Sequence, residues 1–345
     1  MAIDVHAHFW TDAYLDKVAA LGRTDTAAQR GMGAGDGAEL DARLTLMDRA
    51  GVEMQVLSAS PQLPHGPDRA AAVDAARYVN DQYAGLAARY PGRFAAFASL
   101  PLPHVDASAA ELGRALDELG MVGVAMTTTV LGQPLVDSPA AELFAELDRR
   151  GTVLYLHPAG NAACTPLIAD YHGTWSVGAP VEDTISVLHL ITHGIPSRYP
   201  RMKILNSHLG GALPMLLQRM NNQLAWEAPE TPETPSLAAR RMWYDTVGHA
   251  HPPALRCAAD SLGTSPPRPG HRLPLPERSR LPGRDQLHHH QWPSPGRSRP
   301  RALRQRPGTP RPQRPSSELN PRNTRPMPSG PRMRFERLSA AYRRM

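Results

Sequence analysis

The stretch Asp4-Val-His6-Ala-His8-Phe9 decides the fold of this 345-residue chain. Apolar residues around it indicate a short β-strand, on which side chains two positions apart point to the same face. Asp4, His6 and His8 are therefore expected on one face, with the two imidazoles about 7 Å apart. Neutral imidazole is a common ligand of first-row metals. The stretch predicts one side of a metal site. A histidine pair alone, however, more often lies on the protein surface, or in the core with its nitrogens hydrogen-bonded to other protein groups.

Strand-like and helix-like segments alternate after this stretch. The further predicted strands are 52–58, 94–100, 122–127, 153–157, 202–207 and 242–247, and the predicted helices are 39–50, 67–90, 106–119, 138–150, 181–197, 211–225 and 252–262. Such alternation favours a parallel α/β fold, and a (β/α)8 barrel needs eight units in about 250 residues. Seven units fit within residues 1–262 and the eighth is missing. The Gly-rich, polar stretch 20–37 is predicted to be a loop over the site, and the loop at about 10–38 is expected to select the substrate.

Histidines recur where predicted strands end. His157 ends the fifth strand, His208 follows the sixth, and Asp245 lies in the seventh. In a (β/α)8 barrel the active site is built at the carboxyl ends of the strands. His6 and His8 stand at the same end of the first strand, so four histidines from three strands are expected to converge. This convergence predicts a metal site more strongly than any one of the histidines does.

These motifs resemble the amidohydrolase superfamily, in the branch that contains aminocarboxymuconate-semialdehyde decarboxylase and related metal-dependent aromatic acid decarboxylases. The resemblance spans roughly residues 1–262 and implies a TIM-type (β/α)8 barrel. It rests on Asp4-Val-His6-Ala-His8-Phe9, Gly51-Val-Glu-Met-Gln-Val-Leu-Ser58, Leu156-His157-Pro158, Pro180-Val-Glu182-Asp183-Thr184 and His208-Leu-Gly-Gly211.

The resemblance also implies roles for individual residues. His6, His8 and His157 correspond to ligands of one divalent metal, zinc as the first expectation and manganese as the alternative. His208 corresponds to the catalytic histidine that orients or deprotonates a metal-bound water, whose pKa zinc lowers to about 7. Trp175 corresponds to an aromatic residue that lines the substrate pocket, and an ordinary loop or core position is its alternative.

The activity that the resemblance implies is decarboxylation of an aromatic or muconate-type acid. Hydrolysis of a cyclic amide, ester or lactone is the alternative, since one scaffold supports both chemistries. The expected partner is a small carboxylic acid, and a homodimer is left open. Cys164 and Cys257 match no disulfide framework and are expected to be packed or idle thiols. With no recognisable signal peptide or membrane span, the cytoplasm is the expected compartment.

Residues 263–345 differ in composition from the rest of the chain. They hold 19 Arg, no Lys and 17 of the 36 prolines, whereas residues 1–262 are net negative. Such composition is typical of disorder. It also supplies the sole argument for a third alternative, a nucleic-acid-binding protein, which is not expected.

A shifted reading frame explains this tail better than a genuine disordered extension. The family's eighth-strand motif, Gly-(Thr/Ser)-Asp-(Phe/Tyr)-Pro, supplies a fourth metal ligand and is missing here. Synonymous codons can be chosen for Pro267–Ser279 so that the same DNA, read one base further along, encodes Leu-Val-Leu-Gly-Thr-Asp-Phe-Pro-Tyr-Gln-Asn-Gly. We therefore expect residues from about 264 onward to be out of frame. Without that Asp the chain is predicted to bind metal weakly and to be poorly active, with Asp245 orienting a ligand rather than replacing the lost one.

Overall fold

The computed structural model describes residues 2–23, 25–30, 37–161, 163 and 165–263. The predictions for the Pro/Arg-rich tail, including its frame and the missing eighth strand, concern positions from 264 onward and lie outside the described residues. Cys164 also lies outside them, and Cys257 carries a free thiol.

Seven parallel strands of the described residues form one sheet, in the order β1-β2-β3-β4-β7-β8-β9. A short antiparallel hairpin, β5-β6, follows β4. The strands are β1 (Ala2–His8), β2 (Val52–Ser58), β3 (Phe94–Ala98), β4 (Gly123–Thr127), β5 (Thr129–Val130), β6 (Gln133–Pro134), β7 (Val153–His157), β8 (Lys203–Asn206) and β9 (Trp243–Tyr244). The predicted parallel α/β fold is confirmed.

Helices connect these strands and pack around the sheet. The α-helices are α1 (Asp12–Ala20), α2 (Gly37–Ala50), α3 (Arg69–Arg89), α4 (Val105–Asp117), α5 (Phe144–Arg150), α6 (Pro166–Ala169), α7 (Ala179–Thr192), α8 (Ile195–Arg198), α9 (Leu213–Glu227), α10 (Pro235–Arg240) and α11 (Pro252–Leu262). A π-helix, Thr174–Gly178, leads directly into α7. Among the helices that the structure describes, none has the length and apolar character needed to cross a bilayer.

The central strands are buried on both faces, as parallel strands covered by helices must be. All five residues of β4 are buried. Inside the curve of the sheet, the ring of Phe97 stacks on that of Tyr155 with 5.0 Å between centroids. This apolar layer closes the floor beneath the carboxyl ends of the strands, where the histidines lie.

Two sequence expectations about local structure are wrong. The stretch 10–38 is not a continuous loop, because Asp12–Ala20 is a helix whose Tyr14, Leu15 and Val18 are buried at helical spacing. Thr11 caps it by accepting a hydrogen bond from the Tyr14 amide. The predicted helix 181–197 is interrupted at Gly194, whose φ of 63° ends α7 before α8 begins.

Strict alternation also fails in β1. The pairing of β1 with β2 is irregular between Asp4 and Ala7. The Asp4 carboxylate accepts a hydrogen bond of 2.9 Å from Gln55 Nε2, and Gln55 Oε1 in turn accepts one of 3.1 Å from Arg43 of α2. Asp4 therefore turns toward the helix side and does not share a face with the two histidines, because the irregularity breaks the period of two.

Candidate metal centre

The curvature of the sheet brings distant strands together at their carboxyl ends. Three strands separate β1 from β7 in the sheet order. Even so, the ring centroid of His6 lies 5.1 Å from that of His157 and 4.8 Å from that of His208. Such proximity across the sheet is the geometry of a barrel mouth.

All four predicted histidines lie in this mouth. The ligand nitrogens of His6, His157 and His208 lie within 4.8 Å of one another. The ring of His8 is 4.9 Å from the rings of both His6 and His157, and it stacks on Trp10 at 5.3 Å. The geometry thus brings together the three predicted ligands and the predicted catalytic histidine.

The surroundings of His157 determine which of its two ring nitrogens carries the proton. Its Nδ1 lies 2.9 Å from the carbonyl oxygen of Pro158, so Nδ1 carries the proton and donates, and Nε2 keeps a lone pair. Burial, reinforced by the neighbouring histidines, lowers the pKa of His157 well below its ordinary value, and burial does the same for His8. Both rings are therefore neutral near pH 7, the form that binds a metal ion.

His6 is oriented by two hydrogen-bond partners, Asp245 and Tyr155, of which the sequence predicts only Asp245 as an orienting residue. Its Nδ1 lies 2.7 Å from Asp245 Oδ2 and 2.9 Å from the Tyr155 hydroxyl. Burial alone would raise the pKa of Asp245, but the charge and hydrogen bond of His6 hold it below its ordinary value. A carboxylate that holds one nitrogen of a histidine leaves the other free for a metal. Asp245 makes the orienting contact expected of it.

His208 pairs with a buried carboxylate from α7. Asp183 Oδ2 lies 2.9 Å from His208 Nδ1, and its Oδ1 accepts a hydrogen bond of 2.9 Å from the Ser207 hydroxyl. Burial raises the pKa of Asp183 to about 6, against these hydrogen bonds. Burial alone would lower the pKa of His208, but Asp183 raises it above its ordinary value. The pair therefore keeps a proton on His208 near neutral pH.

The backbone around His208 explains the run of glycines after it. His208 and Leu209 have positive φ values of 51° and 59°, an uncommon conformation for non-glycine residues. A side chain at Gly211 would place its Cβ 1.9 Å from the Pro180 carbonyl oxygen. This close approach lets the tight turn after β8 seat against α7, which carries Asp183.

Glu182 anchors the segment that follows His157. Its carboxylate accepts hydrogen bonds from three consecutive backbone amides, with nitrogen–oxygen distances of 2.5 Å to Ala159, 3.0 Å to Gly160 and 3.2 Å to Asn161. The Thr128 hydroxyl also donates to it. Sequence reasoning included Glu182 in a motif but gave it no role, because its partners are main-chain amides that no side-chain pattern reveals.

Trp175 lies beside this anchored segment. A Cβ added to Gly160, whose φ is 80°, would stand 2.7 Å from the indole carbon Cη2 of Trp175. The half-buried indole therefore rests on the backbone three residues after His157. This places Trp175 at the rim of the mouth, and its role toward a substrate stays a prediction.

The residues of this centre fit a first-row divalent ion. His6 and His157 each have Nδ1 occupied by a protein partner, which leaves Nε2 as the donor atom. The Nδ1 atom of His8 is buried and has no hydrogen-bond partner among the described residues. Imidazole donors held by carbonyl and carboxylate groups suit zinc or manganese.

The family profile described as Amidohydrolase matches residues 3–265. The chain is 28% identical over 248 residues to the 2-amino-3-carboxymuconate-6-semialdehyde decarboxylase of Dictyostelium discoideum, which covers 70% of this chain and 68% of that protein. It is 36% identical over 198 residues to the gamma-resorcylate decarboxylase of Rhizobium radiobacter, which covers 54% of this chain and 60% of that protein.

A solved structure supports the same comparison. It is a dihydroxybenzoic acid decarboxylase from Polaromonas sp. JS666 with bound manganese and the inhibitor 2-nitroresorcinol. The two structures match with a TM-score of 0.65 at 25% identity, over 76% of this chain and 83% of that one. The chain spans 68% and 60% of the length of the two curated relatives above.

Proposed function

The chain belongs to the amidohydrolase family, and from this premise we propose that it is a metal-dependent decarboxylase of an aromatic or muconate-type carboxylic acid. The observation that carries the proposal is the convergence of four histidines at one end of the sheet, two of them paired with buried carboxylates. The curated relatives that the chain resembles are named decarboxylases, which favours this activity over hydrolysis of a cyclic amide, ester or lactone.

His6, His8 and His157 are the proposed metal ligands. The bound manganese of the Polaromonas structure supports a divalent ion, with zinc and manganese both compatible with imidazole donors. When bound, such an ion supplies Lewis acidity toward the oxygens of the substrate. Asp245 and Tyr155 fix the ring of His6, while the Pro158 carbonyl fixes that of His157.

His208 is the proposed proton donor. Asp183 holds its Nδ1, so Nε2 is directed toward the other histidines. In the proposed reaction the bond between the substrate carbon and its carboxylate breaks, and the electron pair stays on that carbon. The carbon takes a proton from Nε2 of His208, and carbon dioxide leaves. The raised pKa of His208 keeps that proton available near neutral pH.

Trp175 is proposed to line the substrate pocket. Its indole rests on Gly160 in the segment anchored by Glu182, so its position is coupled to that of His157. A flat aromatic face at this rim suits a planar acid. The partner is then a small carboxylic acid.

Carbon dioxide release tests the proposal. The full chain, loaded with manganese or zinc, is incubated with a panel of hydroxybenzoates and one cyclic lactone. We expect slow carbon dioxide release from at least one hydroxybenzoate, abolished by a chelator and by His208→Asn. Hydrolysis of the lactone without carbon dioxide from any acid would contradict the decarboxylase assignment.

A further inference from the structure

The strand register shows which side chains face the mouth beside His157. In the pairing of β4 with β7, Thr127 lies opposite His157, and Ala125 lies opposite Tyr155. Paired residues of adjacent parallel strands point to the same face of a sheet. His157 and Tyr155 face the inside, where both lie close to His6, so Thr127 faces the inside as well. The backbone of Thr127 lies one strand, about 4.8 Å, from the backbone of His157.

His65 reaches this hydroxyl from another part of the chain. It lies in the segment after β2, yet its Nδ1 is 3.4 Å from Thr127 Oγ1. Because β3 stands between β2 and β4, the segment must cross the end of β3 to make this contact. The imidazole of His65 therefore lies beside Thr127 at the carboxyl end of β4, one strand from His157, and it is 6% exposed.

The hydrogen bonds of Thr127 determine which ring nitrogen of His65 carries the proton. Thr127 Oγ1 lies 2.5 Å from the Thr129 carbonyl oxygen, and it has a single proton to donate there. Toward His65 it acts as an acceptor, so His65 Nδ1 carries the proton and Nε2 has a lone pair. That Nε2 is buried and has no hydrogen-bond partner among the described residues. A buried acceptor without a donor costs stability unless water or a ligand supplies one.

The segment that carries His65 is held in place from both sides. The Tyr14 hydroxyl donates to the Gln62 carbonyl at 2.6 Å, and Arg23 Nη1 donates to the Pro61 carbonyl at 3.0 Å. After His65, the Gly66 amide donates to the Leu102 carbonyl at 3.1 Å. The position of the imidazole is thus fixed before a ligand binds. A fixed hydrogen-bonding group lets a site distinguish a ligand that can pair with it from one that cannot.

We propose that His65 determines specificity, with its Nε2 accepting a hydrogen bond from a hydroxyl or amino substituent of the bound acid. This rests on the proposed function, since it takes the mouth beside His157 as the substrate site. Burial, with the charge of Arg23, lowers the pKa of His65 to about 3, so the ring stays a neutral acceptor across the working pH range. An acid that bears a methyl ether in place of the hydroxyl offers no donor there.

Equilibrium binding to the manganese-loaded full chain tests this proposal. The two probes are a hydroxybenzoate and its methyl ether, and the variants are His65→Leu and His65→Gln. We expect H65L to weaken binding of the hydroxybenzoate by about 5- to 100-fold and to leave the methyl ether unchanged. H65Q restores most of the difference because its side-chain oxygen is also an acceptor. The control is His193→Leu, an exposed histidine after α7, which alters neither affinity.

The outcomes separate this proposal from the proposed function. Equal loss for both probes in H65L, or no loss for either, would overturn the role of His65, as would a wild type that binds neither acid. A wild type that discriminates through His65 but releases no carbon dioxide from any hydroxybenzoate would refute the decarboxylase activity and leave the binding role standing.

Discussion

Glu182 and Asp183 are consecutive residues of α7, yet their carboxylates hold two different parts of the metal centre. Glu182 accepts hydrogen bonds from three amides of the segment after His157, whereas Asp183 lies 2.9 Å from Nδ1 of His208. One helix therefore sets the distance between a predicted ligand and the predicted proton donor. Changes at either carboxylate should act on the centre through these contacts.

Replacing Glu182 with Gln should loosen the segment that carries His157. The amide group of Gln presents donors to backbone amides that are themselves donors, so part of the anchor is lost. We expect metal affinity to fall by about 10- to 100-fold, the usual cost of losing a group that orients a ligand. Competition with a chelating dye measures this affinity. Glu142→Gln, at an exposed position of a short helix, is the control, and equal affinities for the two variants would contradict the anchoring role.

Replacing Asp183 with Asn should act on turnover. Asn carries no negative charge to stabilise the protonated form of His208, so less of the proton donor is present. The imidazole of His208 also loses the carboxylate that fixes its orientation. We expect kcat to fall by about 100- to 10,000-fold with little change in KM. Steady-state carbon dioxide release measures both constants. Asp137→Asn, whose carboxylate is exposed, should leave both constants unchanged. A D183N enzyme with normal kcat would mean that His208 does not depend on its carboxylate.

Acid should destabilise the fold through His65. The pKa of His65 is about 3 in the folded protein and about 6.5 in the unfolded chain. Below pH 6.5 the unfolded chain therefore binds a proton at His65 that the folded protein does not bind. Stability contributed by neutral His65 is present above pH 6.5 and lost as the pH falls toward 3. Between pH 7 and 4.5 we expect wild type to lose about 2–3 kcal/mol more than His65→Leu. Urea unfolding at both pH values measures the difference, and parallel losses would refute it.

The reading frame of the tail makes a separate prediction. We propose that residues 1–262 form the amidohydrolase-like unit and that the sequence from about 264 onward is read out of frame. Sequencing the gene between the codons for Leu262 and Pro269 decides this, and an intact frame there would end the idea. A chain with the frame restored regains Gly-Thr-Asp-Phe-Pro and should bind manganese at least about 10-fold more tightly, because a carboxylate ligand is added.

Local sequence signals anticipated the parts of the fold that depend on neighbours in the chain. The predicted bounds of strand 153–157 are confirmed: Gly151, with a φ of 63°, ends the preceding helix, and the strand Val153–His157 follows. The convergence of the histidines followed from a rule of barrel topology. In contrast, the sequence analysis does not predict α1 (Asp12–Ala20), because the Gly-rich, polar residues that follow it favour a loop.

Contacts that depend on tertiary structure could not be foreseen in the same way. Asp4 was placed on the wrong face, since nothing in the sequence marks the irregular pairing that follows it. His65 belongs to no motif, and its contact with Thr127 arises only when one segment crosses the end of another strand. The amide partners of Glu182 likewise become visible only in three dimensions.

Carbon dioxide release by the full chain on hydroxybenzoates, with and without manganese, tests whether this histidine centre is a metal-dependent decarboxylase. We expect slow release that requires the metal and is lost in both His157→Asn and His208→Asn, while His193→Asn behaves as wild type. Release that persists after complete removal of metal, or that survives both substitutions in the cluster, would contradict it.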